Sequence, residues 1–107
     1  MEVVFRILWT DHAINQLKSI FDYHVIKASP NIAHKLIQKI IDATILLENN
    51  PQSGRKEDLL EDRNQEFRFL IMRNYKIIYW IDNEFSIVNI SAVFDTRQNP
   101  KKISKIV

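Results

Sequence analysis

The 107-residue chain has no cysteine, one glycine and three prolines. Without cysteine there is neither a disulfide framework nor a thiolate metal site, a composition that fits a reducing cytoplasm. A single glycine rules out the glycine-rich loops that cradle phosphates and the G-x-S-x-G turn of serine hydrolases. No apolar run is long enough to span a bilayer, so no membrane association is expected. Residues Met1 to Trp9 carry Arg6 inside a short apolar run and offer no small-residue cleavage site, which does not read as a signal peptide. A strong excess of one charge is also missing. The net charge of +2 and pI near 9.0 suit a nucleic acid or an acidic protein without choosing between them.

What is present is an ordinary globular composition, 46% hydrophobic and 26% charged. It suffices for one domain over residues 1–107 with a core that needs no staples. Val3, Phe5, Ile7 and Trp9 alternate along one face of a strand. Thr10 caps a first helix whose apolar stripe is Ala13, Ile14, Leu17, Ile20, Phe21 and Val25, ending near Lys27. Ser29-Pro30 starts a second helix along Ala33, Leu36, Ile37, Ile40, Thr44 and Leu47, which Asn49-Asn50-Pro51 stops. The short link predicts an antiparallel αα-hairpin. Gly54, as the sole glycine, is expected at a positive φ. Residues 56–65 read as a polar loop with a short strand or turn at Leu59-Leu60. Strands follow at 66–72, 75–81 and 85–94, consecutive and joined by short turns, hence antiparallel. The order is β-α-α-β-β-β and the class α+β, helices covering one face of a small antiparallel sheet.

The stretch from Glu66 to Ile81 places Arg68 and Lys76 among large apolar side chains. A strand cation must reach water, a carboxylate or a phosphate. Arg55, Arg68, Arg73, Lys76 and Arg97 form a cationic set in the sheet half, with Glu66, Tyr75 and Tyr79 nearby in sequence. A metal-free ribonuclease needs an acid, a base and cations for the crowded phosphate. Arg68 and Arg97 are the candidates for the cationic part, because the guanidinium fork matches two phosphate oxygens. The competing reading pairs Arg68 with Glu66 on the solvent face. His12, His24 and His34 lie on the helices with no ligand spacing, and are read as structural or solvated; no metal and no cofactor is expected. Residues 95–107 carry Arg97, Lys101, Lys102 and Lys105 against Asp95, a basic tail that is either solvated or a contact surface.

Taken in order, these segments resemble the RelE/ParE superfamily of type II toxin–antitoxin toxins, often called plasmid stabilisation proteins. The resemblance runs through Trp9-Thr10 with Ala13, Leu17, Ile20 and Tyr23, then Asn50-Pro51-Gln52-Ser53-Gly54-Arg55. It continues through Arg68-Phe69-Leu70, Tyr75-Lys76-Ile77-Ile78-Tyr79 and Phe94-Asp95-Thr96-Arg97-Gln98-Asn99-Pro100. It implies an αα-hairpin on a small antiparallel sheet. RelE-like members cleave mRNA on the ribosome with basic residues and a Tyr or His-Tyr near the C-terminus; ParE-like members poison DNA gyrase.

Arg68 and Arg97 fall at arginine positions shared by much of the superfamily. After Arg97 there is neither Tyr nor His, and neither Lys56 nor Lys76 is a convincing substitute. The ParE-like side is therefore favoured, a toxin that acts by binding gyrase, with Arg55, Arg68, Lys76 and Arg97 meeting target or phosphate. An enzyme would be a metal-independent, ribosome-dependent mRNA endoribonuclease using Arg68 and Arg97; a third reading is an inactive relative that keeps only antitoxin binding. The expected partner is an acidic cognate antitoxin, and the resemblance implies a hetero-oligomer of the two-plus-two kind common in the family.

Overall fold

The structure, a computed structural model, describes residues 3–106. Met1, Glu2 and the side chain of Lys105, which enter the N-terminal and basic-tail readings above, lie outside the described residues. The main elements are β1 (Arg6–Trp9), α1 (Asp11–Lys27), α2 (Pro30–Ile45), β2 (Arg55–Lys56), β3 (Phe67–Met72), β4 (Tyr75–Asp82), β5 (Ile87–Asp95) and a final turn, α3 (Ile103–Ile106). One-turn helices link them at Leu46–Glu48, Pro51–Ser53, Asp58–Leu60 and Pro100–Lys102.

The helix starts follow from capping chemistry. The Thr10 hydroxyl accepts from the Ala13 N–H at 3.2 Å, and the Ser29 hydroxyl from the Ile32 N–H at 3.2 Å with Pro30 in the first turn. The sheet order is β1-β5-β4-β3-β2. Strands β3, β4 and β5 are antiparallel neighbours, as their short connections demand. β1 joins the far edge parallel to β5, Arg6 beside Ile87 through Trp9 beside Ile90, so the five-stranded sheet is mixed rather than wholly antiparallel. The short-turn rule does not constrain a strand separated from its neighbour by most of the chain. The β3–β4 turn places Arg73 at φ 55°, the positive value a two-residue hairpin turn requires. The Thr96 N–H and hydroxyl both donate to the Asn74 carbonyl at 2.8 Å, tying that turn to the end of β5. The turn after β4 runs longer than the sequence suggests, with Ser86 also at φ 55°, and β5 starts at Ile87.

Two apolar layers sandwich the sheet. On the helix side Ala13, Leu17, Leu36, Ile40 and Leu47 meet Tyr75, Ile77, Tyr79, Val88, Ile90 and Val93. Phe5, Ile7 and Trp9 border this layer, as their alternation predicts, while Val3 is exposed. On the opposite face Leu60 and Ile103 cover Phe67, Ile78, Ala92 and Phe94. The polar segment 56–65 and the basic tail are thus a lid over the second face, each contributing one buried aliphatic side chain. Lys101 and Lys102 stay exposed while Ile103 is buried.

The expected positive φ at Gly54 is not found; its φ is −74° and ψ 156°, open to any residue. Glycine is needed for a different reason. A Cβ there would collide with the Tyr79 hydroxyl and stand 2.8 Å from both the Phe69 carbonyl oxygen and Tyr79 Cε1.

Candidate functional site

Arg68 sits on β3 opposite Tyr79. Its Nη1 donates to the Gly54 carbonyl at 2.8 Å, and Nη2 lies 2.8 Å from Glu66 Oε1. The Tyr79 hydroxyl donates to the Pro51 carbonyl at 2.7 Å and accepts from the Gly54 N–H at 2.9 Å. Burial raises the Tyr79 pKa, so it remains a phenol. Arg68 and Tyr79 together clamp the 51–55 segment, which accounts for the Asn50-Pro51-Gln52-Ser53-Gly54-Arg55 run as a structural module. Only 16% of the Arg68 side chain is accessible.

Lys76 points to the opposite sheet face. Its ammonium is 2.8 Å from Glu57 Oε2, whose side chain is 3% exposed, and 4.2 Å from the Phe69 ring centroid. The other Glu57 oxygen accepts from the Leu59 N–H at 3.2 Å. Arg55, paired with Phe69 in the short β2, is exposed.

Arg97 lies beyond the end of β5, next to the start of β4. From Tyr79 back to Tyr75 is four strand positions, about 14 Å, and β3 to β5 is two strand spacings, about 10 Å. The Arg68 and Arg97 backbones are therefore roughly 17 Å apart along the sheet, and their guanidiniums are held by different carboxylates, Glu66 and Asp95. The four cations expected to meet target or phosphate occupy three places: Arg68 at the β2–β3 edge, Lys76 and Arg55 on the second face, Arg97 at the far corner; Arg73, the fifth of the cationic set, lies in the β3–β4 turn.

At that corner α1 stands off the sheet and leaves an open cleft of about 480 Å³. The β1 edge ends at Trp9, so the β5 backbone beyond Ile90 has no strand on that side. Gln16 of α1 substitutes for one, its Oε1 accepting from the Val93 N–H at 2.7 Å. Tyr75 forms the floor, buried, its hydroxyl 3.0 Å from His24 Nε2. Burial first, and then the Asp95 charge, raise the Tyr75 pKa, so it acts as a neutral hydrogen-bonding group and not as a base.

On the rim Arg97 donates to Asp95 twice, Nε to Oδ1 at 3.1 Å and Nη2 to Oδ2 at 2.9 Å. The Arg97 N–H and the Asn74 amide also donate to Oδ1, at 2.9 and 3.2 Å. These donors hold the Asp95 pKa down to about 2 against the opposing effect of its partial burial. The same carboxylate raises the Arg97 pKa. Arg97 Nη1 has no hydrogen bond among the described residues. The exposed side chains of His12 and Tyr23 face the same space from α1.

Arg97 is thus the one sequence candidate in this cleft, and His12, Tyr23 and Tyr75 are brought to it by the fold. Their positions 12, 23, 75 and 97 share no spacing that a sequence pattern would reveal. Among the described residues no group of three or more His, Asp or Glu side chains is placed to hold a metal ion. No helix among them is long and apolar enough to cross a membrane.

A family profile described as the ParE toxin of type II toxin–antitoxin systems, parDE, matches residues 7–100. No curated protein sequence matches the chain. Among solved structures the fold is similar to the chromosomal ParDE toxin–antitoxin system of P. aeruginosa, with a TM-score of 0.71 and 18% identity over 86% of this chain and 96% of that one. It is also similar to the RelBE2 toxin–antitoxin complex of Mycobacterium tuberculosis, with a TM-score of 0.59 and 19% identity over 89% and 94% of the two chains. A double-arginine mutant of the E. coli toxin RelE in the free state gives 0.63 and 9% over 97% and 95%. At these identities the neighbours establish the fold, a two-helix layer on a mixed sheet. With 94 consecutive positions matched, the chain belongs to the ParE toxin family of type II toxin–antitoxin systems.

Proposed function

We propose that this protein, as a single toxin domain in the cytoplasm, arrests growth by binding DNA gyrase and is neutralised by a cognate antitoxin. The observation that carries the binding mode is the state of the cations. Arg68, Lys76 and Arg97 are each engaged by a carboxylate of the same chain, and Arg68 also by a backbone carbonyl. They are dispersed over the molecule, whereas a nuclease needs them converging on one phosphate with an acid and a base beside it. The antitoxin follows from family membership and from the neighbours, two of which are toxin–antitoxin systems. An acidic partner segment suits the net charge of +2.

A second reading, the mRNA endoribonuclease, is favoured by one feature, the meeting of Arg97, Tyr23, Tyr75 and His12 in one cleft. A supercoiling assay with purified gyrase, run beside primer extension on RNA from briefly induced cells, separates the two. Lost supercoiling with intact messages is the expected result. Cuts at codon positions with gyrase unaffected would establish the nuclease instead, and neither effect would leave an inactive relative that binds only its antitoxin.

A further inference from the structure

We infer that the uncovered end of the second sheet face is a homodimer surface, on which a second copy of this chain packs about a two-fold axis running along β5. The inference does not depend on the gyrase reading or on toxicity.

The lid stops short of β1. Leu60 and Ile103 cover Phe67, Ile78, Ala92 and Phe94. Toward β1 two cross-strand rows remain open, Arg6–Ile87–Asp82 and Leu8–Asn89–Trp80. Ile7, Trp9, Ile81 and Val88 belong to the helix-side layer, so their strand neighbours point to the second face. Leu8 is 51% exposed and Arg6 is exposed, while Ile87, Asn89, Trp80 and Asp82 are half-buried. Val4 and Phe85, 60% and 65% exposed, stand at the same end of the sheet.

The order of side chains in these rows is self-complementary. A half-turn about an axis parallel to β5 and above it lays β1 of one copy over β4 of the other, and β5 over β5. Arg6 then faces Asp82, Leu8 faces Trp80, Ile87 faces Ile87, and Asn89 faces Asn89. Sheets stacked in this way keep their strands aligned within about 30°.

Each pairing answers a group left without a partner. Arg6 has no ion pair among the described residues, and Asp82 lies about 10 Å away across Ile87. One Asp82 oxygen accepts from the Phe85 N–H at 3.1 Å, which leaves the other free. The Asn89 amide has no hydrogen bond among the described residues, although it sits between Leu8 and Trp80. Two such amides across a two-fold axis each donate to and accept from the other.

The same order excludes simpler partners. An acidic segment would meet Asp82 and exposed Glu84, and a basic one would meet Arg6. A surface with the reverse order satisfies both rims, and a second copy supplies it by symmetry. The patch is small beside the roughly 800 Å² per partner of stable complexes, so the dissociation constant is expected on the order of 100 μM.

Sedimentation equilibrium of the purified chain from about 10 μM to 1 mM tests the inference. A monomer–dimer equilibrium is expected, weakened about ten-fold or more by Leu8→Glu, which sets a charge against Trp80 twice per dimer. Arg6→Glu and Asp82→Arg are each expected to be monomeric alone and to form a heterodimer when mixed, because mixing restores both ion pairs. Asp82→Asn still accepts from Phe85 and serves where the reversal unsettles the turn; it should weaken association about three-fold, in step with Arg6→Gln. Thermal melts check that the variants fold. The inference is overturned by a chain that stays monomeric, by a dimer that Leu8→Glu leaves intact, or by folded single variants that fail to associate on mixing. A glutamate-rich peptide that shifts the Leu8 and Asn89 amide resonances, where raising the protein concentration does not, would also overturn it.

Discussion

At Gly54 the missing side chain is a packing requirement. The position lies under the Tyr79 hydroxyl, which bonds to its N–H, and beside the Phe69 carbonyl. Gly54→Ala must push apart β3, β4 and the 51–55 segment, and overpacking of this kind costs about 1–3 kcal/mol. A urea midpoint lowered by that amount at unchanged slope is the expected result; an unaltered midpoint would show that the segment yields freely. Tyr79→Phe strips a buried donor and a buried acceptor of their partner and is expected to cost on the order of 1–3 kcal/mol. Asp95 gives a pH-dependent counterpart. Its pKa is lowered from 3.8 to about 2 by the Arg97 and Asn74 donors. A depressed carboxylate stabilises the fold above its unfolded pKa and loses that contribution as pH falls through the folded value. The stabilisation should be complete above about pH 4 and fade toward pH 2, and it amounts to about 1 kcal/mol once screening of the exposed Arg97 is allowed for. Denaturation of the wild type and Asp95→Asn across pH 2–6 checks this; a gap that widens toward pH 2 would contradict it.

Among the elements, the segment 56–65 depends on one buried pair. Glu57 is held by Lys76 from β4 and caps the turn at Asp58–Leu60, which in turn lowers Leu60 onto the second face. Lys76→Met removes the counter-charge from a carboxylate that is almost fully enclosed, at a cost of about 3–5 kcal/mol. Adding Glu57→Gln should recover much of the loss, because the amide still accepts from Leu59 without carrying a charge. Additive single-mutant losses in a double-mutant cycle would show that the pair is not a unit. The same lid explains why Lys76 sits in an apolar strand. Its ammonium lies over the Phe69 ring and meets the Glu57 carboxylate.

At the scale of the whole molecule, Arg68 and Arg97 report on mechanism through their separation. Groups about 17 Å apart with no shared partner act independently, whereas members of one catalytic unit are strongly non-additive. The growth-inhibition losses of Arg68→Gln and Arg97→Gln are expected to add on a logarithmic scale, measured by survival after pulse induction. A double variant no worse than the more damaging single one would indicate a shared catalytic step. An Arg97→Ala protein that remains fully toxic would remove that residue from the killing mechanism.

The alternation of Phe5, Ile7 and Trp9, the helical stripes from Ala13 to Leu47 and the caps Thr10 and Ser29 determined the β-α-α part of the order by themselves, because periodicity and capping are local physics; the two-residue β2 and the closing α3 are absent from the β-α-α-β-β-β reading. The same holds for the antiparallel β3–β4–β5 run, which short turns impose. Tertiary structure alone decided the rest. It set β1 parallel to β5, across most of the chain, and turned the apparent loop and tail into a lid through two side chains, Leu60 and Ile103. It exchanged a backbone role at Gly54 for a steric one. It also gave Arg68 and Lys76 carboxylate partners and gathered His12, Tyr23 and Tyr75 around Arg97. Those are contacts between residues as much as 85 positions apart, where no local rule of spacing operates.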